Sequence, residues 1–360
     1  MPLTYLQAAN IRILEHVELT PASGLNVIAG ANGSGKTSVL EAIHLLALGR
    51  TFRSGQGNQL LRAGTTTLMA RGNWRTYSGE EVALGIERGA AGRRVHINGV
   101  QSATIGALAR VMPIQALAPD SRYLFTHSAR YRRGVIDWGL FHVEPHFYAL
   151  WSRYQRALQQ RNAALRAGAN DTTLDSWDDE LARSSEQVQA LRADYQRQWA
   201  RDISYYARAL LATGELRVSL QQGWPAELSL REAFWASRGR DRARGYTSCG
   251  AHRSDLVATL EGAPLRERGS HGQQTLAVMA LRLAQVALYL RGARRQCVLL
   301  LDDIVGELDG ERRHKLMTSL RELGTQVFIT TTDVSSIAAD VEQTAVFHVE
   351  QGQLSAPAHA

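Results

Sequence analysis

A chain of 360 residues, 44% of them apolar and 21% charged, is long enough for one large domain or two ordinary ones with an ample core. No apolar run approaches the roughly 18–20 residues of a membrane helix, and the N-terminus MPLTYLQAANIRILEHVELT has no signal-peptide anatomy. Cys249 and Cys297 form neither a disulfide framework nor a metal-ligand set, which fits a reducing cytosol, and the net charge of +7 points to an anionic partner, of which nucleic acid is the commonest large one.

Leu25-Asn26-Val27-Ile28-Ala29-Gly30 is an apolar run ending in glycine and reads as a buried strand. It leads into Gly30-Ala31-Asn32-Gly33-Ser34-Gly35-Lys36-Thr37, a complete G-x-x-x-x-G-K-T, after which Val39, Ile43 and Leu46 recur at helical spacing as far as Gly49. Glycines between a strand and a helix let consecutive N–H groups turn inward around phosphate oxygens, and the helix N-terminus adds a favourable dipole. Lys36 is one of only two lysines in an arginine-rich chain. It would reach the β- and γ-phosphates of ATP, and the Thr37 hydroxyl would hold Mg²⁺.

Residues 66–100 read as β-hairpins, with Val82, Leu84 and Ile86 alternating and an Asn98-Gly99 turn. Gln115, after the run Val111-Met112-Pro113-Ile114, is a candidate to touch Mg²⁺ and water, or simply a glutamine on a strand end. The texture changes near residue 145. Trp151, Tyr154, Leu158 and Leu165 form one helical stripe. After a loop at 167–171, Trp177, Leu181, Ser184, Val188, Leu191, Tyr195, Gln198, Asp202, Tyr205 and Ala209 follow at heptad steps. This is an antiparallel helical hairpin about 30–50 Å long, or an ordinary helical subdomain. From residue 216 the chain returns to strands, with a hairpin turn at Glu261-Gly262.

Ser270-His271-Gly272-Gln273 opens an amphipathic helix over 272–291, with Ser270 as its natural N-cap. Val298-Leu299-Leu300-Leu301-Asp302-Asp303 puts two acids at the carboxyl end of a buried strand, where ligands of such sheets gather. There Asp302 would bind Mg²⁺ and Asp303 would orient the attacking water. Val327-Phe328-Ile329-Thr330 is a second buried parallel strand beyond a helix at 308–323, and the tail Gln351–Ala360 reads as frayed.

S-x-G-Q ahead of an acidic strand resembles the signature of ABC-type ATPases, in which the signature of one copy contacts the γ-phosphate held by the other. That resemblance implies an α/β ABC-type P-loop ATPase head whose mixed β-sheet and helices carry an inserted helical, short coiled-coil lobe. Residues 1–140 and 216–360 would form the two parts of the head and 141–215 the lobe. It also places Gly306-Glu307-Leu308-Asp309 as a loop at the dimer interface, with Ser270 and Asp309 facing the partner copy. Thr330-Thr331-Thr332 stands where transporter subunits have a histidine, which argues against a transporter. Lys36 and Asp302 lie some 265 residues apart, and an insert of this size is too short for the long tether of an SMC-like structural ATPase.

Over essentially the whole chain the sequence resembles the RecF family of bacterial recombination and repair ATPases. The match rests on Gly30–Thr37 with Leu40-Glu41-Ala42-Ile43, on Gly49-Arg50-Thr51-Phe52-Arg53, and on Arg132-Arg133 with Ile136-Asp137-Trp138. Gly250-Ala251-His252-Arg253-Ser254-Asp255-Leu256 and Gly306–Asp309 complete it. The resemblance implies dimerisation on ATP, slow hydrolysis, and binding to double-stranded DNA and single/double-strand junctions. It further implies RecR as a partner, with RecO and RecA behind it, in repair and the SOS response on the nucleoid. Gly306 in place of serine and His271 inside the signature depart from the family, and Asp303 replaces the glutamate of typical ABC enzymes. Candidate phosphate contacts are Arg130, Arg132 and Arg133, Arg50 with Arg53, and Arg93 with Arg94.

Overall fold

The computed structural model describes residues 2–53, 60–90, 92–102, 104–211, 215–292, 295–334, 337 and 344–355. Contacts divide the chain into two compact units, Met1–Ser121 with Leu290–Ala360, and Arg122–Tyr289.

The first unit holds two sheets around one helix. An antiparallel sheet runs Leu14–Leu19, Leu3–Ile11, Thr67–Arg75, Glu81–Gly89, Gly92–Ile97 and Val100–Ser102. One face is apolar, through alternating Leu68, Ala70 and Trp74 and, next to them, Val82, Leu84 and Ile86. Its last hairpin turns on Asn98 and Gly99, both at positive φ, the conformation that favours Asn-Gly. The second sheet runs Gln353–Ser355, Ala345–Glu350, Leu25–Ala29, Gln326–Thr331, Val298–Leu301 and Ile114–Leu117, parallel except for its first strand.

Leu25–Ala29, Val298–Leu301 and Gln326–Thr331 are buried at every position, as expected where both faces of a parallel sheet are covered. The helix Lys36–Leu48 packs on both sheets and is buried at eleven of its thirteen positions. It therefore reads as apolar nearly all round, and truncating fully buried Ile43 to alanine would cost about 2–5 kcal/mol. Gln326 ties the two sheets together, accepting from Leu3 N at 3.0 Å and donating to Leu3 O at 2.9 Å.

The second unit is mainly helical: Ala129–Val143, Phe147–Arg166, Asp171–Leu211, Leu230–Arg244 and His271–Leu290 surround a three-stranded antiparallel sheet. The antiparallel helical pair is present, but it packs against the strand Leu216–Gln221 and the helix Leu230–Arg244 as part of a subdomain. Its second helix has 41 residues, about 60 Å, longer than the expected hairpin.

Four expectations are corrected. The heptad stripe holds through Val188 and Tyr195, then shifts by one: Trp199, Ile203, Tyr206 and Leu210 are buried, while Gln198 and Tyr205 are exposed. A straight helix drifts about 20° per heptad from a 3.5-residue repeat, and this half packs on a sheet rather than on one partner helix. The α-helices of the second unit begin at Ala129, well before the change of texture near 145. Leu230–Arg244 is a helix inside the stretch read as strands, and its signal was present, a Ser229/Glu232 capping box. Within the tail, Gln353–Ser355 is a paired strand, and 356–360 lie outside the described residues.

Candidate nucleotide site

The glycine turn sits at the carboxyl end of Leu25–Ala29. Gly30 passes so close to the neighbouring strand that a Cβ would lie 2.3 Å from Val349 O, and Gly35 begins the helix at φ +115°. Both positions exclude a side chain for physical reasons. The first helical turn leaves its N–H groups without intrahelical partners. Among the described residues Ser34 Oγ is buried with no hydrogen-bond partner, an orphaned polar atom inside the loop. Lys36 is buried and donates to Gly30 O at 2.9 Å and Ala31 O at 3.0 Å. Ala31, Asn32 and Gly33 are exposed at the tip. The loop fits an anion that would exchange carbonyls for phosphate oxygens at Lys36 and offer acceptors to the free N–H groups.

The acidic strand end meets this loop. Thr37 Oγ1 donates to Asp302 Oδ1 at 2.8 Å. Thr330, at the end of the strand between Leu25–Ala29 and Val298–Leu301, donates to Asp302 Oδ1 at 3.0 Å and to Asp303 Oδ1 at 3.4 Å. Its oxygen accepts from Asp303 N at 2.8 Å, and Asp303 adopts φ +50°. Burial pushes the Asp302 carboxyl above the usual carboxylate range, and the neighbouring Asp303 charge adds to this. The hydrogen bonds from Thr37 and Thr330 pull the other way. No cluster of three or more His, Cys, Asp or Glu occurs among the described residues. A cation at Asp302 would thus complete its shell with Thr37, phosphate oxygens and water, as Mg²⁺ does.

Two neighbours were missed from the sequence as members of this group. Thr330 was weighed only for the histidine it replaces. Arg53 reaches within 3.6 Å of Asp302 Oδ2. Its segment is fastened to the helix Lys36–Leu48, where Thr51 donates to Glu41, and His44 Nδ1 donates to Arg50 O at 2.7 Å. Burial drives the His44 pKa down to about 4, so the ring is neutral. Phe52 packs edge-on to it, with centroids 5.4 Å apart.

Gln115 does not join the group. The strand begins at Ile114, because 105–111 form a helix, and Gln115 pairs with Leu299, three residues and about 10 Å short of the carboxylates.

Ser270, Gly272 and Gln273 lie in the other unit, exposed at the start of His271–Leu290. Ser270 Oγ accepts from Gln273 N at 3.2 Å and Gln273 Oε1 accepts from Ser270 N at 2.9 Å, a reciprocal capping box. Asp309 caps Gly310–Leu323, accepting from Arg312 N at 2.9 Å, and Gly306 is exposed in the turn before it.

The basic cluster divides. Arg132 is buried, forms a two-pronged pair with Asp255 at 2.7 Å, and donates to the carbonyls of Phe125 and His127. Its fork is already spent, so it is withdrawn as a phosphate contact. Arg133 donates to Ser254 O at 2.6 Å and is half-buried, which lowers its pKa, and Arg130 alone is fully on the surface.

A phosphate-sized glycine cradle, its lysine, and two carboxylates at the end of a central parallel sheet define the P-loop ATPase head of the ABC and SMC class. Residues 2–355 match the family model of the RecF/RecN/SMC N terminal domain. The chain is 39% identical over 362 residues to the DNA replication and repair protein RecF of Erwinia tasmaniensis, covering 99% of each. It is 38% identical over 357 residues to that of Edwardsiella ictaluri, covering 99% of this chain and all of that one. A solved structure of the recombination mediator protein RecF with ATP, in the RecFOR pathway, superposes with a TM-score of 0.88 at 24% identity, covering 99% of this chain and 98% of that one. The chain belongs to the RecF family.

Proposed function

We propose that this chain is an ATP-gated DNA-binding protein whose ATP site is completed by a second copy of itself. Gly30, Ala31, Asn32, Gly33, Ser34 and Gly35 would cradle the phosphates, and Lys36 would leave its loop carbonyls for the β- and γ-phosphates. Thr37 and Asp302 would hold Mg²⁺, which when bound would neutralise charge on the transferring phosphoryl group. Asp303, held by Thr330, would orient the attacking water. Its carboxylate is one methylene shorter than that of glutamate, and a misplacement of about 1 Å can cost about a hundredfold in rate, so hydrolysis would be slow. The exposed capping box at Ser270, with Gly272 and Gln273, would close on the γ-phosphate held by the partner copy, with Asp309 at the same interface.

The observation that carries this reading is the grouping of Lys36, Thr37, Asp302 and Asp303 at one end of the parallel sheet. Docked heads would clamp double-stranded DNA and single/double-strand junctions, and hydrolysis would release them. Family membership and the RecFOR relative support a role with RecR and RecO in placing RecA on gapped DNA, feeding recombinational repair and the SOS response in the cytoplasm at the nucleoid.

The test is mass by light scattering with ATP and Mg²⁺, for the native chain and for Lys36→Arg and Ser270→Arg. ATP should double the native mass and leave both variants monomeric. A native chain that binds ATP yet stays monomeric, even with duplex DNA present, would sink the shared-site mechanism.

A further inference from the structure

Residues 122–136 of the second unit carry four arginines and a histidine and no carboxylate. Two of the arginines turn inward, Arg132 to Asp255 and Arg133 to Ser254 O. What remains outside is an aromatic row. Tyr123, His127 and Tyr131 recur every fourth residue, with ring centroids 6.0 and 5.0 Å apart, and the two tyrosines are 40% and 43% exposed. The row is fixed by its backbone, since His127 N donates to Tyr123 O at 2.7 Å and Tyr131 N to Ser128 O at 2.9 Å. The guanidinium of Arg122 lies 5.1 Å from the Tyr123 ring centre. Arg130 is exposed, with no ion-pair or hydrogen-bond partner among the described residues.

We infer that Tyr123, His127 and Tyr131 form a stacking platform for the unpaired bases of single-stranded DNA, with Arg130 and Arg122 meeting its phosphates. The inference rests on the DNA-binding function proposed above and specifies where unpaired bases bind. Exposed aromatic rings can stack on any base, while cations beside them follow the backbone, which gives affinity without sequence preference. In a continuous duplex the base faces are already stacked, so the platform has nothing to hold. At a gap they are free. The absence of any carboxylate from the segment suits a polyanion.

The experiment is fluorescence anisotropy of a labelled duplex interrupted by a single-stranded gap, beside the same duplex without the gap, with ATP and Mg²⁺. Tyr123→Ala with Tyr131→Ala should weaken gapped-duplex binding at least about tenfold and leave the continuous duplex nearly unchanged, while the corresponding Phe variants keep native affinity. Arg130→Ala should weaken gapped-duplex binding and reduce its salt slope by about one. Thermal melting and ATP binding of each variant report that the fold is intact. If the double alanine variant binds gapped DNA as the native chain does, the platform is wrong and the DNA-binding function stands. If the native chain binds neither DNA, both fail together.

Discussion

The Thr37 hydroxyl donates to Asp302 Oδ1 at 2.8 Å across 265 residues of sequence. The helix after the glycine turn and the strand ending in Asp302 meet because Leu25–Ala29 and Val298–Leu301 flank the same strand, Gln326–Thr331. Thr37→Val keeps the branched shape and deletes the oxygen. Phosphate release with Mg²⁺ should fall about a hundredfold or more, while nucleotide binding without Mg²⁺ persists. Unchanged release would remove Thr37 from the metal site.

The Thr330 hydroxyl reaches both Asp302 Oδ1 and Asp303 Oδ1. Thr330→Val frees the Asp303 carboxylate and strips Asp303 N of its acceptor, at a residue with positive φ. ATP-driven dimerisation should survive and turnover should drop about ten- to a hundredfold, separating positioning from binding. A variant that loses dimerisation and turnover equally would mean Thr330 only holds the fold.

The proposed two-copy site makes its own complementation test. Lys36→Arg and Ser270→Arg are each inactive alone, yet a mixed pair has one site with both defects and one with neither. Mixing them with ATP should restore dimers by light scattering and up to about half of native turnover at equal mixing, since neither variant pairs with itself, so every dimer is mixed and each has one good site of two. A mixture as inert as its parts would argue for a site complete within one copy.

The two neighbouring arginines should respond in opposite ways. Arg132→Ala strands Asp255 and two backbone carbonyls, and should cost about 3 kcal/mol in urea unfolding. Arg130→Ala should stay within about 0.5 kcal/mol. Equal losses would contradict the assignment of Arg132 to the interior.

Burial holds His252 at a pKa of about 4, its Nε2 donating to Thr247 O and its Nδ1 accepting from Tyr154. His44 is held at about 4 by the same cause. The unfolded chain binds these protons near 6.5, so their contribution is fully present above that pH and is lost as pH falls towards 4. Each ring contributes at most about 3 kcal/mol of pH dependence over that window. Melting temperature followed from pH 7 to 4 should fall, and His252→Gln should fall less steeply. Parallel curves would show that His252 is not a source of the acid sensitivity.

The glycine turn, the acidic strand end and the capped helix at Ser270 were legible from sequence because each is local. Every one is a strand or helix terminus whose own backbone demands particular residues, so spacing along the chain carries the signal. The three central parallel strands, Leu25–Ala29, Val298–Leu301 and Gln326–Thr331, were equally plain, since burial on both faces gives unbroken apolar runs, whereas Ala345–Glu350, half-exposed at the side of the sheet, was not read. Side chains whose partners lie far along the chain were not legible. Thr330 looked like the absence of a histidine until it was found beside two carboxylates, and Gln115 read as a candidate to touch Mg²⁺ and water, or as a glutamine on a strand end, until pairing with Leu299 set it back from the carboxylates.

Arg130, Arg132 and Arg133 read alike as letters, three cations in a row of four residues. One turn of helix separates them by direction, and Asp255, more than a hundred residues away, decides which is neutralised in the interior. Sequence alone determined that this chain has a glycine-rich phosphate loop, an acidic strand end and a capped helix terminus at Ser270, because backbone geometry is a short-range property. Only the tertiary structure decided which charges are spent inside the fold and which are left for a ligand, because burial and pairing depend on what the rest of the chain brings alongside.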